Sequence, residues 1–225
     1  KMKKILCIVA HPDDEALGPG GTLIKHSLNG EEVNVFIFSD GEGAKKDINK
    51  KNSKRLVAAN KWCDEINAKI YKIADYPDQR LDTLPQIELV TEIEEALKIL
   101  EPDIIYIHNP TDINKDHEIV SKACLVALRP MRFMSNLPEI RAFETPSSTD
   151  QIPNINTLSF QPNLYVSVKQ EWKKKIKALK NYEKEIGEFP HPRSLKSIEA
   201  LAIKRGAESG LEMAEAFIII KKVII

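Results

Sequence analysis

The chain carries no surplus of either charge: 33 Lys and Arg stand against 33 Asp and Glu, a formal net charge of zero over 225 residues. That balance removes the general electrostatic pull toward nucleic acid or an anionic membrane, and makes a small molecule the expected partner. Cysteine is scarce. Cys7, Cys63 and Cys124 are odd in number, widely spaced and set in apolar or helical surroundings, which argues against a disulfide framework and for free thiols in a reducing cytoplasm. Long apolar runs are missing as well. Behind the basic start Lys1-Met2-Lys3-Lys4, the apolar run over 5–10 stops at His11, too short for a secretory core, and no stretch reaches membrane-spanning length. Repeats, low-complexity tracts and linkers are absent too, so the whole of 1–225 is expected to form one domain.

With 42% hydrophobic residues, the chain has material for one well-buried core. Continuous apolar runs at 5–10, 33–38 and 104–107 read as strands covered on both faces, and 69–73 as a further strand. Between them, 20–29, 54–66, 86–100 and 116–128 read as helices; Ile87, Val90, Ile93, Leu97 and Leu100 form the apolar stripe of the third. Strands alternating with helices predict an α/β fold, a Rossmann-like, mostly parallel sheet flanked by helices, over about 3–130. Residues 131–225 read as a substrate-side elaboration. It holds irregular structure and short strands around 143–149 and 160–168, a basic amphipathic helix marked by Trp172, Ile176, Leu179 and Ile186, a proline turn at 190–194, and a helix over 197–204. The apolar tail 218–225 reads as a sheet edge that a second subunit would cover.

Ligands bind such sheets at the carboxyl ends of the strands. Polar clusters follow three of the strands: His11-Pro12-Asp13-Asp14-Glu15, Ser39-Asp40-Gly41-Glu42, and the segment from His108 to His117. His11 and Asp14 on one loop and His117 on another make two imidazoles and a carboxylate, a donor set that suits catalytic zinc with a bound water. Asp13 would then be the proton acceptor. The plainer alternative is that Asp13 or Asp14 caps the following helix.

The Ala10-His11-Pro12-Asp13-Asp14-Glu15 motif with Gly18, Gly20 and Gly21, together with Asp112-Ile113-Asn114-Lys115-Asp116-His117, resembles the LmbE/PIG-L family of zinc-dependent N-acetyl-sugar deacetylases. Ser39-Asp40-Gly41-Glu42, Pro102-Asp103-Ile104, Arg205-Gly206 and Ala214-Glu215-Ala216-Phe217 extend the likeness. The resemblance implies His11, Asp14 and His117 on Zn2+, Asp13 as general base, and release of acetate from an N-acetylglucosamine-type sugar or conjugate. In that family a histidine commonly stands three residues before the last ligand; here it is Asn114, an amide that donates a hydrogen bond but supplies no proton. Either Asp13 returns the proton it takes, or another group such as His191 acts as the acid.

Other assignments are open between two roles. Arg193 contacts substrate or caps a helix; Asp40 and Glu42 line the pocket or cap the next helix; His191 is an acid or a residue of a proline turn. Asp116 is expected to orient a neighbouring ligand, and His108 to support the site or merely lie near the rim. His26 is expected to be structural, Glu15 to bond within its loop, and Lys173, Lys174 and Lys175 to form a solvated helix face. The family's arginine early in the second helix has candidates across 51–55. Two other classes compete: a ferrous enzyme on the same two-histidine, one-carboxylate set, and a non-catalytic sugar- or nucleotide-binding module.

Overall fold

The computed structural model describes residues 2–43, 53–133, 137–155 and 159–224; Lys51 and Asn52 of the arginine window and Ile225 of the apolar tail lie outside them. Seven strands form one sheet in the order β3-β2-β1-β4-β5-β7-β6. They are β1 (Lys4–Val9), β2 (Glu32–Ser39), β3 (Lys69–Tyr76), β4 (Ile104–His108), β5 (Glu139–Phe143), β6 (Leu164–Ser167) and β7 (Ala214–Lys221). Pairing is parallel from β3 through β5, and antiparallel where β7 joins β5 and β6. The helices are α1 (Asp14–Leu17), α2 (Gly20–Leu28), α3 (Lys54–Ile66), α4 (Gln86–Leu100), α5 (Lys115–Ala127), α6 (Trp172–Leu179) and α7 (Leu195–Ser209).

The period-two geometry of β1 explains why its apolar run has no polar side. Ile5, Cys7 and Val9 join a core with residues of α2, α3, α6 and α7, whereas Leu6, Ile8 and Ala10 join one with α4 and α5. The sheet turns around at β1 and β4: β2 follows β1 on one side, and β4 lies on the other. The crevice at such a reversal, beyond the strand carboxyl ends, is where open α/β sheets bind ligands. His11 leaves β1 there, and His108 ends β4 there.

Five expectations change. The tail is an edge only in part: β7 lies between β5 and β6, but β6 pairs with 214–217 alone, so 218–221 are laddered only on the β5 side, and Val223 and Ile224 stand 52% and 84% exposed beyond the strand. The helix marked by Trp172 ends at Leu179 and tightens into a 3-10 stretch, Lys180–Glu185. Ile87 is 66% exposed on α4, outside the stripe that Leu89, Val90, Ile93, Ala96 and Leu97 bury. Lys175 is buried and pairs with Glu215 at 2.7 Å. The helix read over 197–204 is longer, starting from the Ser194 cap and stopping at Gly210, whose φ of 73° suits glycine.

Candidate metal centre

The loop after β1 turns sharply. Asp13 takes φ 115° and ψ −28°, and Asp14 begins α1, so the two neighbouring carboxylates leave the chain in different directions. Asp14 Oδ2 accepts the His11 backbone N–H at 3.0 Å and lies 3.5 Å from His11 Nδ1 and 3.3 Å from His117 Nε2. His117 stands in the first turn of α5, brought in by the Asn114 cap, whose Oδ1 accepts the backbone N–H groups of Asp116 and His117. Ligand atoms of His11, Asp14 and His117 all fall within 4.8 Å of one another, and all three residues are buried. Among the described residues, Asp14 Oδ1 and His117 Nε2 have no hydrogen-bond partner. Buried polar atoms without partners are costly unless a cation or solvent answers them.

The surroundings favour positive charge. Burial opposes protonating His117, yet the carboxylates of Asp14 and Asp112 outweigh it and push the ring up to about 9. Burial likewise opposes protonation of His11, but Asp116, Asp14 and Asp78 hold it well above its usual value. Burial would raise the Asp14 carboxyl; the facing imidazoles of His117 and His11 hold it well below the usual range. The donor set, two nitrogens and one oxygen, therefore fits a divalent cation.

Each histidine is anchored from behind. His11 Nε2 lies 3.1 Å from Asp116 Oδ2 and 3.0 Å from Asp78 Oδ1, while the Asp116 carboxylate also accepts the backbone N–H groups of Gln79 and Leu81. His117 Nδ1 lies 3.5 Å from Asp112 Oδ1. Asp112 in turn accepts the hydroxyls of Ser148 and, at 2.7 Å, Thr149. Carboxylates behind metal-bound imidazoles fix the tautomer and orient the ring. His108 is fully buried, accepts the Ala10 N–H on Nε2 at 3.0 Å and stacks on His117 with ring centroids 3.9 Å apart. Burial, with His117 beside it, pushes it down to about 3, so it is a neutral wall of the site.

Asp13 is held by two guanidiniums: Arg55 Nη2 donates to Oδ2 at 2.7 Å and Arg193 Nη1 at 2.9 Å. Its Oδ1 is buried and has no partner among the described residues. Burial raises its carboxyl to about 6, with Arg55 opposing and Asp14 reinforcing the rise. Arg193 also donates to Ser147 Oγ at 2.6 Å. Arg55, from the first turn of α3, reaches over Gly41 to donate to its carbonyl at 2.6 Å. Gly41 has φ 68°, and a β-carbon there would stand 2.4 Å from Arg55 Nη1.

The remaining predicted residues divide. Asn114 is the α5 cap. Glu42 accepts from Ser53 Oγ and the Arg55 N–H at the start of α3, and Asp40 accepts the Glu42 N–H; Glu42 also lines a cavity of about 470 Å³ with Arg55, Tyr182 and Glu185. His191 is exposed, accepts the Arg193 N–H on Nδ1 and borders a cavity of about 280 Å³ with Arg193. His26 bonds Glu31 and Tyr106 away from the site. Sequence reasoning missed Asp78, Asp112, Ser148, Thr149 and Tyr182. Only Asp112 carried a signal, its place in the segment that leads to His117.

Among curated proteins, the chain is 29% identical over 190 residues to the uncharacterized deacetylase YaiS of Escherichia coli K12, covering 81% of this chain and 92% of that one. It is 24% identical over 224 residues to the diacetylchitobiose deacetylase of Thermococcus kodakarensis, covering 95% and 82%. Among solved structures, the 4-carboxy-2-hydroxymuconate hydratase GalB of Pseudomonas putida KT2440 superposes with a TM-score of 0.76 at 17% identity, covering 100% and 98%, which shows the fold. The profile of the PIG-L family, described as GlcNAc-PI de-N-acetylase, matches residues 6–128, more than half the chain and the span that contains all three converging donors. The chain belongs to the PIG-L family of deacetylases.

Proposed function

We propose that the protein is a zinc-dependent N-deacetylase that hydrolyses the acetamide of an N-acetylglucosamine-type sugar or sugar conjugate. The observation that carries this reading is the convergence of His11, Asp14 and His117 in a buried, carboxylate-rich cluster beside the Asp13 Oδ1, which has no partner among the described residues. Family membership and the deacetylase names of both curated relatives support it.

His11, Asp14 and His117 would hold the cation. When bound, a divalent cation there acidifies water and polarises an acyl oxygen. Asp13 accepts the proton of the attacking water at Oδ1 while Arg55 and Arg193 keep Oδ2 in place. The water oxygen bonds to the acyl carbon, the carbon–nitrogen bond breaks, and acetate and the free amine leave. Asn114 is turned to its own helix, so the amine takes its proton from Asp13 or from His191 across the rim. The cavities on either side of Glu185 would receive the rest of the sugar. The three buried free cysteines suit a reducing compartment, which we take to be the cytoplasm.

The test is amine release from a panel of N-acetylated sugars, with and without chelator. Asp13→Asn should keep its bound zinc and lose about 10²- to 10⁴-fold in turnover. Full activity in that variant would remove Asp13 as base. Turnover that requires dioxygen would make the site an iron centre, and no turnover in either form would leave a binding module.

A further inference from the structure

The 3-10 stretch Lys180–Glu185 lies far along the chain from the metal loop, yet it reaches Asp13 by two routes. Tyr182, buried, donates its hydroxyl to Glu15 Oε1. Glu15 Oε2 accepts the Asp13 backbone N–H at 3.0 Å. That amide belongs to a residue at φ 115°, a conformation that a side-chain-bearing residue keeps only when its surroundings impose it. Three residues beyond Tyr182, the Glu185 carboxylate faces Arg55 Nε at 3.4 Å and Arg193 Nη1 at 3.9 Å. These are the two guanidiniums on Asp13 Oδ2.

We propose that this stretch positions the Asp13 carboxylate: Tyr182, through Glu15, fixes the backbone from which it projects, and Glu185, through Arg55 and Arg193, fixes Oδ2, so that Oδ1 is presented to water. The proposal rests on the reading of Asp13 as the base. Tyr182 and Glu15 are positioning residues; neither needs to touch substrate. The same stretch walls the 470 Å³ cavity, so the element that shapes the pocket also aims the base.

The experiment is a double-mutant cycle between Tyr182→Phe and Asp13→Asn, read by single-turnover amine release at high enzyme concentration. Tyr182→Phe removes one oxygen from a side chain that otherwise still fills its place. It should lower kcat about tenfold, the scale of a small misplacement of a reacting group, with KM and zinc per chain unchanged. In the Asp13→Asn background it should lower the rate no further, because there is no base left to aim. Glu185→Gln should likewise lower kcat, with no further loss in the Asp13→Asn background. An unchanged kcat in Tyr182→Phe, with or without a fall in Tm, overturns the proposal, as does an equal tenfold loss in both backgrounds. The two assignments fail separately. A fully active Asp13→Asn enzyme sinks the base itself, whereas a normal Tyr182→Phe beside a crippled Asp13→Asn sinks only the positioning.

Discussion

Asp14 Oδ2 stands at 3.0 to 3.5 Å from the His11 backbone amide and from ring nitrogens of His11, His117 and His108, so one oxygen gathers the site. Asp14→Asn removes the negative charge at that point and should abolish stoichiometric zinc, measured by metal analysis of the purified chain. Asp112→Asn acts one step back. With His117 Nδ1 no longer facing a carboxylate, zinc affinity should weaken about 10- to 100-fold in competition with a chromophoric chelator, with the far-ultraviolet spectrum unchanged. His191→Ala should depress turnover and leave bound zinc alone if the exposed ring supplies the amine's proton; an unchanged rate assigns that proton to Asp13. His11, Asp13 and Asp14 were legible because they crowd four successive positions directly behind an apolar strand. Asp78 was not: in Tyr76-Pro77-Asp78-Gln79 it looks like any turn aspartate, and only the packing of that turn against His11 gives it a role.

The N-terminus of α2 is held from the other end of the chain. Glu215 on β7 accepts the backbone N–H groups of Gly21 and Thr22, each at 2.7 Å, and the Thr22 hydroxyl at 2.6 Å. A carboxylate is favoured there by the exposed amides and the helix dipole. Lys175, 3% exposed, supplies the balancing charge and donates also to the carbonyls of Leu17 and Gly18. Lys175→Met leaves a buried carboxylate without its cation and should cost about 3–5 kcal/mol, read by denaturant unfolding. Gly21→Ala would place a β-carbon 2.8 Å from Glu215 Oε1 and 2.9 Å from Val168 Cγ1, and should destabilise by about 1–3 kcal/mol. Lys175 hid in a lysine run, although its spacing from Trp172 and Leu179 puts it on the stripe α6 buries. The early stop of α6 at Leu179 was hidden too, since the apolar spacing continues to Ile186 past the kink at Tyr182.

At the scale of the molecule, the site ties α1, which follows β1, to α5, which follows β4, so a bound cation should add to the stability of the whole. Zinc at 100 times its dissociation constant adds about 2.7 kcal/mol if it binds only the folded chain, and should raise Tm by roughly 5–10 °C for a chain of this size. Asp13→Asn should keep that rise and Asp14→Asn should lose it. The parallel strands β1, β2 and β4 were readable because burial on both faces leaves continuous apolar runs, and the helices between them leave a 3.6-residue period, whereas the short β5 left no such run. These signals are local, and so were the metal loop and the segment ending at His117. The placing of β7 between β5 and β6, the two arginines on Asp13 and the carboxylates behind His11 and His117 join residues up to 180 positions apart. Partners that distant leave no periodicity in the chain; they exist only once burial has removed water and each polar group must find another.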